Sequence, residues 1–187
     1  MGHGKVHQTM ERITSRLSNE GIPYAIIGGM AINAHGFERV TTDVDLLTTR
    51  DGLDEIHKKL VGRGFVPKFP GARKKLRDTV TGVDVEFITT GEFPGDGKPK
   101  AVSFPDPRDV SVDIAGMNVI SLEKLIELKL ASGLSAPHRI SDIGDVARLI
   151  QTLSPPRELG EKLDPSVRDE YYRLWDVSQN TWDPSAG

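Results

Sequence analysis

The sequence predicts an α+β (mixed α/β) protein in which strands and helices intermingle up to about residue 120, followed by an all-helical part. Two observations support this prediction. Short apolar or alternating runs typical of strands lie between segments that have the apolar period of helices. After residue 120 only helical periods remain. We therefore expect a core over residues 1–120 and a helical C-terminal region, residues 121–187, packed on that core.

Composition narrows the class of protein. The chain has 187 residues, of which 37% are hydrophobic and 27% charged, close to average globular usage. No apolar run approaches the roughly 18 residues of a membrane span, and the N-terminus has no apolar signal-peptide core. The absence of cysteine excludes disulfides and thiolate metal sites and fits a cytoplasmic protein. A net charge of −3 argues against a globally basic nucleic-acid-binding surface but permits local patches.

The first part of the chain alternates helix and strand. Val6, Met10, Ile13 and Leu17 are spaced as on one helical face, and "YAIIGG" is an apolar run stopped by two glycines. The predicted elements are, in order, a helix over residues 5–20, a strand over 24–27, a short helix over 30–36, an extended stretch over 40–48 and a helix over 53–61.

The next part of the core contains a predicted hairpin and a loop. "FVPKF" is expected to form an edge strand, because Pro67 lacks the donor that a central strand needs. "LRDTVTGVDVEFITT" predicts a hairpin turning at Thr81-Gly82. Residues 91–109, rich in proline and glycine, predict a mobile surface loop. The elements expected after it are strands over 110–114 and 117–120 and helices over 121–131, 141–153 and 165–177, the last capped by Asp164.

Two pairs of carboxylates lie on predicted strands. Residues two apart on a strand face the same way, so Asp43 and Asp45 are expected to project together, as are Asp84 and Glu86. Like charges so placed are costly unless a cation neutralises them. A strand face that merely meets solvent is the alternative for either pair alone. If the strands are neighbours, three or four carboxylates converge, and such an oxygen-only cluster suits Mg²⁺ rather than zinc.

A phosphate-binding feature is expected upstream of the first pair. Gly28 and Gly29 lie between a predicted strand and the start of a helix, where exposed backbone N–H groups attract an anion. Glycine also permits close approach of a ligand to the backbone. A Gly-Gly turn alone is weak evidence for phosphate binding, since it lacks the spacing of a dinucleotide-binding motif and the lysine of a P-loop.

Three further cationic features admit two interpretations each. Lys129 continues the apolar stripe of Leu122, Leu125 and Ile126, so its ammonium either extends past the helix end to water or reaches a phosphate or an active-site carboxylate. Arg39 either contacts phosphate or is exposed at a turn. The basic segment "KFPGARKKLR", residues 68–77, is either a solvated hairpin tip or a surface for an RNA backbone.

Taken together, these residues resemble a known pattern. Ile27-Gly28-Gly29, thirteen residues, Asp43-Val44-Asp45-Leu46 and the later Val83-Asp84-Val85 are similar to the motifs of the nucleotidyltransferase superfamily typified by DNA polymerase β. "RVTTDVDLL" and "ISLEKLIELKL…HRISDIGDVARLI" resemble more specifically the minimal bacterial nucleotidyltransferases of the abortive-infection and toxin–antitoxin type. The resemblance covers about residues 20–153.

The resemblance implies a fold and a chemistry. It implies a small mixed sheet flanked by helices, and transfer of a nucleoside monophosphate from an NTP to an acceptor hydroxyl with release of pyrophosphate. Asp43, Asp45 and Asp84 would bind two Mg²⁺ ions, with Glu86 as the alternative to Asp84. Gly28 and Gly29 would hold the β- and γ-phosphates, and Lys129 occupies a helix on which similar enzymes often have a lysine.

The resemblance does not identify the acceptor. RNA, protein and a small molecule such as an antibiotic are all compatible with it, and an antitoxin-like partner is expected for the toxin-type members. A non-catalytic nucleotide-sensing or partner-binding module that retains the fold is the alternative function, and a purely structural metal site is the least favoured one.

Overall fold

The computed structural model describes residues 4–180, and the chain forms two compact units. The first consists of the residues up to Glu92 together with Phe104–Ser121. The second consists of Phe93–Ser103 together with the residues from Leu122 onward. The first contains every strand in the described part of the chain, and the second contains the last three helices.

The first unit is built on a seven-stranded mixed sheet with the strand order β3-β4-β5-β2-β1-β7-β6. Its strands are β1 Tyr24–Ile27, β2 Val44–Thr48, β3 Phe65–Pro67, β4 Lys75–Asp78, β5 Asp84–Thr89, β6 Ser111–Ile114 and β7 Met117–Ile120.

Strand β2 lies at the centre of the sheet, antiparallel to β1 and parallel to β5. Leu46 of β2 lies opposite both Ile26 of β1 and Phe87 of β5, and all three side chains are buried. Because strand side chains alternate between faces, this register places an apolar layer on one face and Asp45 on the other.

Four helices belong to the first unit: α1 Lys5–Asn19, α2 Gly28–Ala34, α3 Arg50–Leu60 and α4 Pro107–Val110. Helix α1 is tied to the sheet by an ion pair, because Arg12 donates from Nε to Oδ2 of the fully buried Asp78 at 2.9 Å. Thr9 also donates to Asp78, at 3.2 Å. Helix α2 is tied to β7 by a 2.7 Å hydrogen bond between His35 Nε2 and the carbonyl of Ile120.

The second unit contains α5 Leu122–Ser135, α6 Ile140–Leu153 and α7 Pro165–Gln179, with 3₁₀ turns at Pro137–Arg139 and Arg157–Lys162. Asp164 caps α7 by accepting a 2.9 Å hydrogen bond from the Ser166 amide, as predicted. No helix within residues 4–180 is both long and apolar enough to span a membrane.

The segment Phe93–Ser103 differs from the mobile surface loop that its composition predicts. Pro94 and Val102 are buried, and the Asp96 amide donates to the Ser135 hydroxyl of α5 at 3.3 Å. Packing against the helical unit therefore overrides the proline and glycine signal.

The other predicted elements are confirmed with two shifts that affect the site. The α2 helix begins at Gly28 rather than at Met30, so both glycines are its first residues. The strand carrying the first acidic pair begins at Val44 rather than at Val40, and Asp43 lies in a bend before it. The alternation that predicts a shared facing for Asp43 and Asp45 therefore does not apply to Asp43.

The Asp78 ion pair predicts loss of stability in acid. Burial acts to raise the pKa of Asp78, but the Val80 amide, Arg12 and Thr9 lower it more, so the net pKa is below the usual value. A depressed carboxyl pKa stabilises the fold above its unfolded-state pKa of about 4, and this contribution is lost as the pH falls through the folded pKa.

We expect Asp78→Asn to lower the free energy of unfolding at pH 7 by about 2 kcal/mol, because hydrogen bonds to a charged group are lost. We also expect it to flatten the dependence of stability on pH below about 4. Urea melts between pH 2.5 and 7 measure both effects, with the exposed Asp169→Asn as the matched control. If the free energy of unfolding of Asp78→Asn falls below pH 4 as steeply as that of the wild type, this carboxylate does not cause the loss of stability in acid.

Candidate active site

The side chains opposite the apolar layer form two charged rows across neighbouring strands. In the first row Lys75 of β4 lies opposite Glu86 of β5, which lies opposite Asp45 of β2. In the second row Arg77 of β4 lies opposite Asp84 of β5. The sheet thus puts Asp45, Asp84 and Glu86 on one face of β2 and β5, with cations on β4, while Asp43 lies in the bend before β2.

Gly28 is the closest neighbour of the Asp45 carboxylate on the β1 side. Ile27 and Asp45 are paired in the β1–β2 ladder, so the first residue of α2 lies directly beside this side chain. A Cβ atom built on Gly28 would be 3.0 Å from both Cβ and Cγ of Asp45 and closer still to its Oδ2. The backbone φ of Gly28 is also +64°, a conformation that L-residues with side chains rarely adopt. Two independent constraints therefore require glycine here.

Gly29 and the segment before β2 are held together by Thr41. A Cβ on Gly29 would be 3.0 Å from Oγ1 of Thr41, and that hydroxyl donates to the carbonyl of Asp43 at 3.1 Å. Thr41 therefore fixes the bend that presents Asp43 and positions it against the start of α2. The sequence placed this residue in the extended stretch over residues 40–48 and indicated no such role for it.

Asn33 is a second positioning residue that the sequence does not reveal. It accepts from the Arg39 amide at 2.6 Å and donates to the Arg39 carbonyl at 3.0 Å. Both contacts are to the backbone of Arg39, so they close the loop between α2 and β2. No sequence motif marks an asparagine that acts in this way.

Asp84 is held by two cations. Arg77 Nε contacts its Oδ1 at 2.8 Å, and Lys68 Nζ contacts its Oδ2 at 2.6 Å. The hydrogen bond from Arg77, together with Lys68, holds the pKa of Asp84 below its ordinary value although partial burial opposes this. Asp84 is therefore ionised, and in this structure both of its oxygens face cations from the β3–β4 hairpin.

Glu86 is less tightly held. Its ion pair to Lys75 is 3.3 Å long, and both side chains are about two-fifths exposed. Glu86 lies directly across from Asp45, whereas Asp84 lies two residues earlier on the same face of β5.

The donor set fits a metal ion that brings ligands of its own. Within residues 4–180, no three histidine, cysteine, aspartate or glutamate side chains are close enough to form a metal site by themselves. Mg²⁺ in phosphoryl-transfer sites commonly uses one or two carboxylates and takes its remaining ligands from water and substrate phosphates. The carboxylates of Asp45, beside the backbone of Gly28, and of Asp43, in the bend two residues earlier, fit that arrangement. They do not fit a resident structural ion.

Lys129 lies in the helical unit, where its ammonium is bound by two carboxylates of α6. Its Nζ donates to Oδ1 of Asp142 and to Oδ2 of Asp145, both at 2.9 Å. Asp142 also accepts from the Ser132 hydroxyl at 2.6 Å and pairs with Arg139 at 3.2 Å. Lys129 is only 9% exposed, and these contacts explain its burial without a bound ligand. Nucleotide binding by Lys129 stays a prediction.

The fold is similar to that of solved nucleotidyltransferase-like structures. An antigenic nucleotidyltransferase-like protein from Paracoccidioides brasiliensis matches with a TM-score of 0.58 and 17% identity, over 92% of this chain and 88% of the other. A candidate nucleotidyltransferase from Thermotoga maritima matches with a TM-score of 0.50 and 19% identity, over 79% and 91% of the two chains. Another, from Helicobacter pylori, has a TM-score of 0.50 and 15% identity, with 92% and 91% covered.

These likenesses define the class of fold. The chain has the DNA polymerase β-like nucleotidyltransferase fold that its motifs suggest. No protein-family model matches the sequence, and no curated protein sequence does either.

The contact between Gly28 and Asp45 leads to a prediction with a matched control. Gly28→Ala combines an unfavourable positive φ with a clash against the Asp45 carboxylate, whereas Gly21→Ala has nearly the same φ, +65°, and open space around the new methyl group. We expect Gly21→Ala to cost about 1 kcal/mol of stability and Gly28→Ala to cost clearly more.

Urea denaturation of the two variants and the wild type measures the difference. Equal losses would show that Asp45 yields easily and that the close approach of Gly28 is not a constraint.

Proposed function

We propose that the protein is a metal-dependent nucleotidyltransferase that moves a nucleoside monophosphate from an NTP to an acceptor hydroxyl and releases pyrophosphate. The observation that carries this proposal is the position of the Gly28 backbone against the Asp45 carboxylate, with a β5 acid across from Asp45, in a nucleotidyltransferase fold. Neither the glycine turn nor the acidic pair is informative alone. Their contact combines an anion-binding backbone with a cation-binding carboxylate at one place.

Each group has a role in this proposal. The backbone amides of Gly28 and Gly29 receive the β- and γ-phosphates, since neither residue has a side chain of its own to keep a ligand away. Asp43 and Asp45 orient the triphosphate by holding Mg²⁺, and Arg39 is the nearby cation proposed to balance phosphate charge. Divalent ions bound at these carboxylates supply charge stabilisation to the attacking and leaving oxygens of an in-line displacement.

Asp84 is proposed as the third carboxylate, with the acceptor hydroxyl giving its proton to it. It lies on the same face of the sheet as Asp45, and its lowered pKa keeps it ionised and therefore able to bind a cation. Glu86 is the alternative, because it lies directly across from Asp45 and is less tightly paired. Asp84→Asn and Glu86→Gln each remove one negative charge, so a difference between their activities distinguishes the two candidates.

The second candidate function is a nucleotide-binding module without catalysis. The ion pairs from Lys68 and Arg77 to Asp84 favour this candidate, since they occupy a carboxylate that catalysis needs. Both candidates predict NTP binding, and only the first predicts transfer. The antitoxin-like partner expected from the resemblance stays a prediction.

The test of activity is incubation with each α-labelled NTP, Mg²⁺ and, in separate reactions, total RNA, protein extract or small-molecule acceptors, with label transfer and pyrophosphate release as readouts. We expect transfer by the wild type, and a loss of about a hundredfold or more in Asp45→Asn and Asp84→Asn, because each removes a charge that stabilises the transition state. Glu86→Gln is expected to retain most of the activity.

Two results would contradict parts of this account. Retained activity in Asp84→Asn with loss in Glu86→Gln would assign the third carboxylate to Glu86. NTP binding without transfer to any acceptor class, equal in wild type and Asp45→Asn, would favour the non-catalytic module.

A further inference from the structure

The β3–β4 hairpin carries an unusual concentration of positive charge. Residues 65–77 contain five cations and no acid. In the structure every one of these cations pairs with an acid that lies outside this segment. The pairs are Lys68 and Arg77 with Asp84, Lys75 with Glu86, Arg73 with Asp54, and Lys74 with Glu92.

These ion pairs are exposed and therefore easily exchanged. The side chains of Arg73, Lys74, Lys75 and Arg77 are 57%, 45%, 44% and 46% exposed. Exposed pairs contribute little to stability, because water screens them and each costs side-chain entropy. A ligand with several negative charges at regular spacing is able to replace the acids one by one.

An aromatic side chain stands among the cations. Phe69, next to Lys68 in the turn of the hairpin, is 55% exposed, and Val66 on β3 is 39% exposed. Proteins that bind single-stranded nucleic acid combine cations that follow the backbone with exposed aromatic rings on which bases stack. Phe69 therefore favours a nucleic acid over an acidic protein, and the surrounding charge disfavours a cationic small molecule.

We propose that the β3–β4 hairpin binds the phosphate backbone of single-stranded RNA and that RNA is the acceptor. The claim that RNA is the acceptor rests on the proposed function, whereas the claim that the hairpin binds RNA does not. Three of the five cations pair with Asp84 or Glu86, the two acids that are candidates for the third carboxylate. Occupation of that carboxylate by Mg²⁺ with an NTP releases its cations towards the RNA.

The two groups of cations therefore behave differently. Arg73 and Lys74 pair with acids away from the charged rows, so they contact RNA whether or not nucleotide is bound. Lys68 and Arg77 become available mainly when nucleotide and Mg²⁺ are bound. Because coupling between two ligands is reciprocal, RNA in turn strengthens nucleotide binding.

Fluorescence anisotropy of a labelled 12-nucleotide RNA of mixed sequence tests this, with and without Mg²⁺ and a mixture of the four α,β-methylene NTP analogues. We expect wild type to bind RNA more tightly with the analogues, about fivefold or more. Arg73→Gln with Lys74→Gln weakens binding in both conditions. It lowers the slope of log affinity against log salt by about 1.4, since each single-strand phosphate contact contributes about 0.7.

The remaining variants isolate the mechanism. Lys68→Gln with Arg77→Gln is expected to remove the nucleotide-dependent gain and leave basal binding nearly unchanged. Phe69→Ala is expected to weaken binding with little effect on the salt slope. Lys58→Gln with Lys59→Gln on α3, which removes two cations paired with Glu55 and Glu20, is the matched control with unchanged affinity. Thermal melts establish that each variant is folded.

The proposal is overturned if RNA does not bind at low salt, if the hairpin variants bind like the α3 control, or if an acidic polypeptide binds as tightly as RNA. Equal affinity for single-stranded DNA of the same length would reduce the claim to nucleic acid in general. If nucleotide does not change the affinity for RNA, only the proposed coupling is overturned. Binding of nucleotide without RNA leaves the proposed function intact, while RNA binding without any nucleotide binding contradicts the proposed function instead.

Discussion

The repulsion between carboxylates gathered on one face of the sheet is the constraint on which the rest of the site depends. Register places Asp45 across from Glu86, and Asp84 lies one row away on the same face. Negative charges on strands about 5 Å apart are tolerated only where cations compensate them. The protein supplies that compensation from β4 and its turn, through Lys75 and Arg77 and through Lys68. The order of the strands therefore determines which cations lie beside these carboxylates.

The exposure of these ion pairs explains why the carboxylates on the sheet remain able to bind another cation. An ion pair buried on both sides is difficult to break, as between Lys129 and its two aspartates in the helical unit. The pairs on the sheet face are partly exposed, so another cation is able to displace them at small cost. On the β1 side Gly28 presents backbone rather than a side chain to Asp45. The β5 carboxylates are therefore paired with cations that another cation is able to displace.

Much of this was predictable from the sequence, and what was missed has physical reasons. Strand alternation and helix period place Tyr24–Ile27, the β4–β5 hairpin and the three last helices, since these patterns are local. The bend at Asp43 and the hydroxyl of Thr41 depend on a contact with Gly29, which no local pattern records. The partners of Asp84 depend on which strand lies beside β5. Sequence alone showed the basic segment 68–77 and the acids separately, and only the register joins them.

The central claim is that Asp45 and the Gly28 backbone together form a site for a metal-bound triphosphate. The most direct measurement is the thermal midpoint of the wild type and of Asp45→Asn, with each NTP in the presence and absence of Mg²⁺. A ligand that binds only the folded state adds about 2.7 kcal/mol at a hundredfold excess over its dissociation constant. The account predicts a rise in midpoint that requires both Mg²⁺ and Asp45. A rise of equal size without Mg²⁺, or in Asp45→Asn, would contradict it.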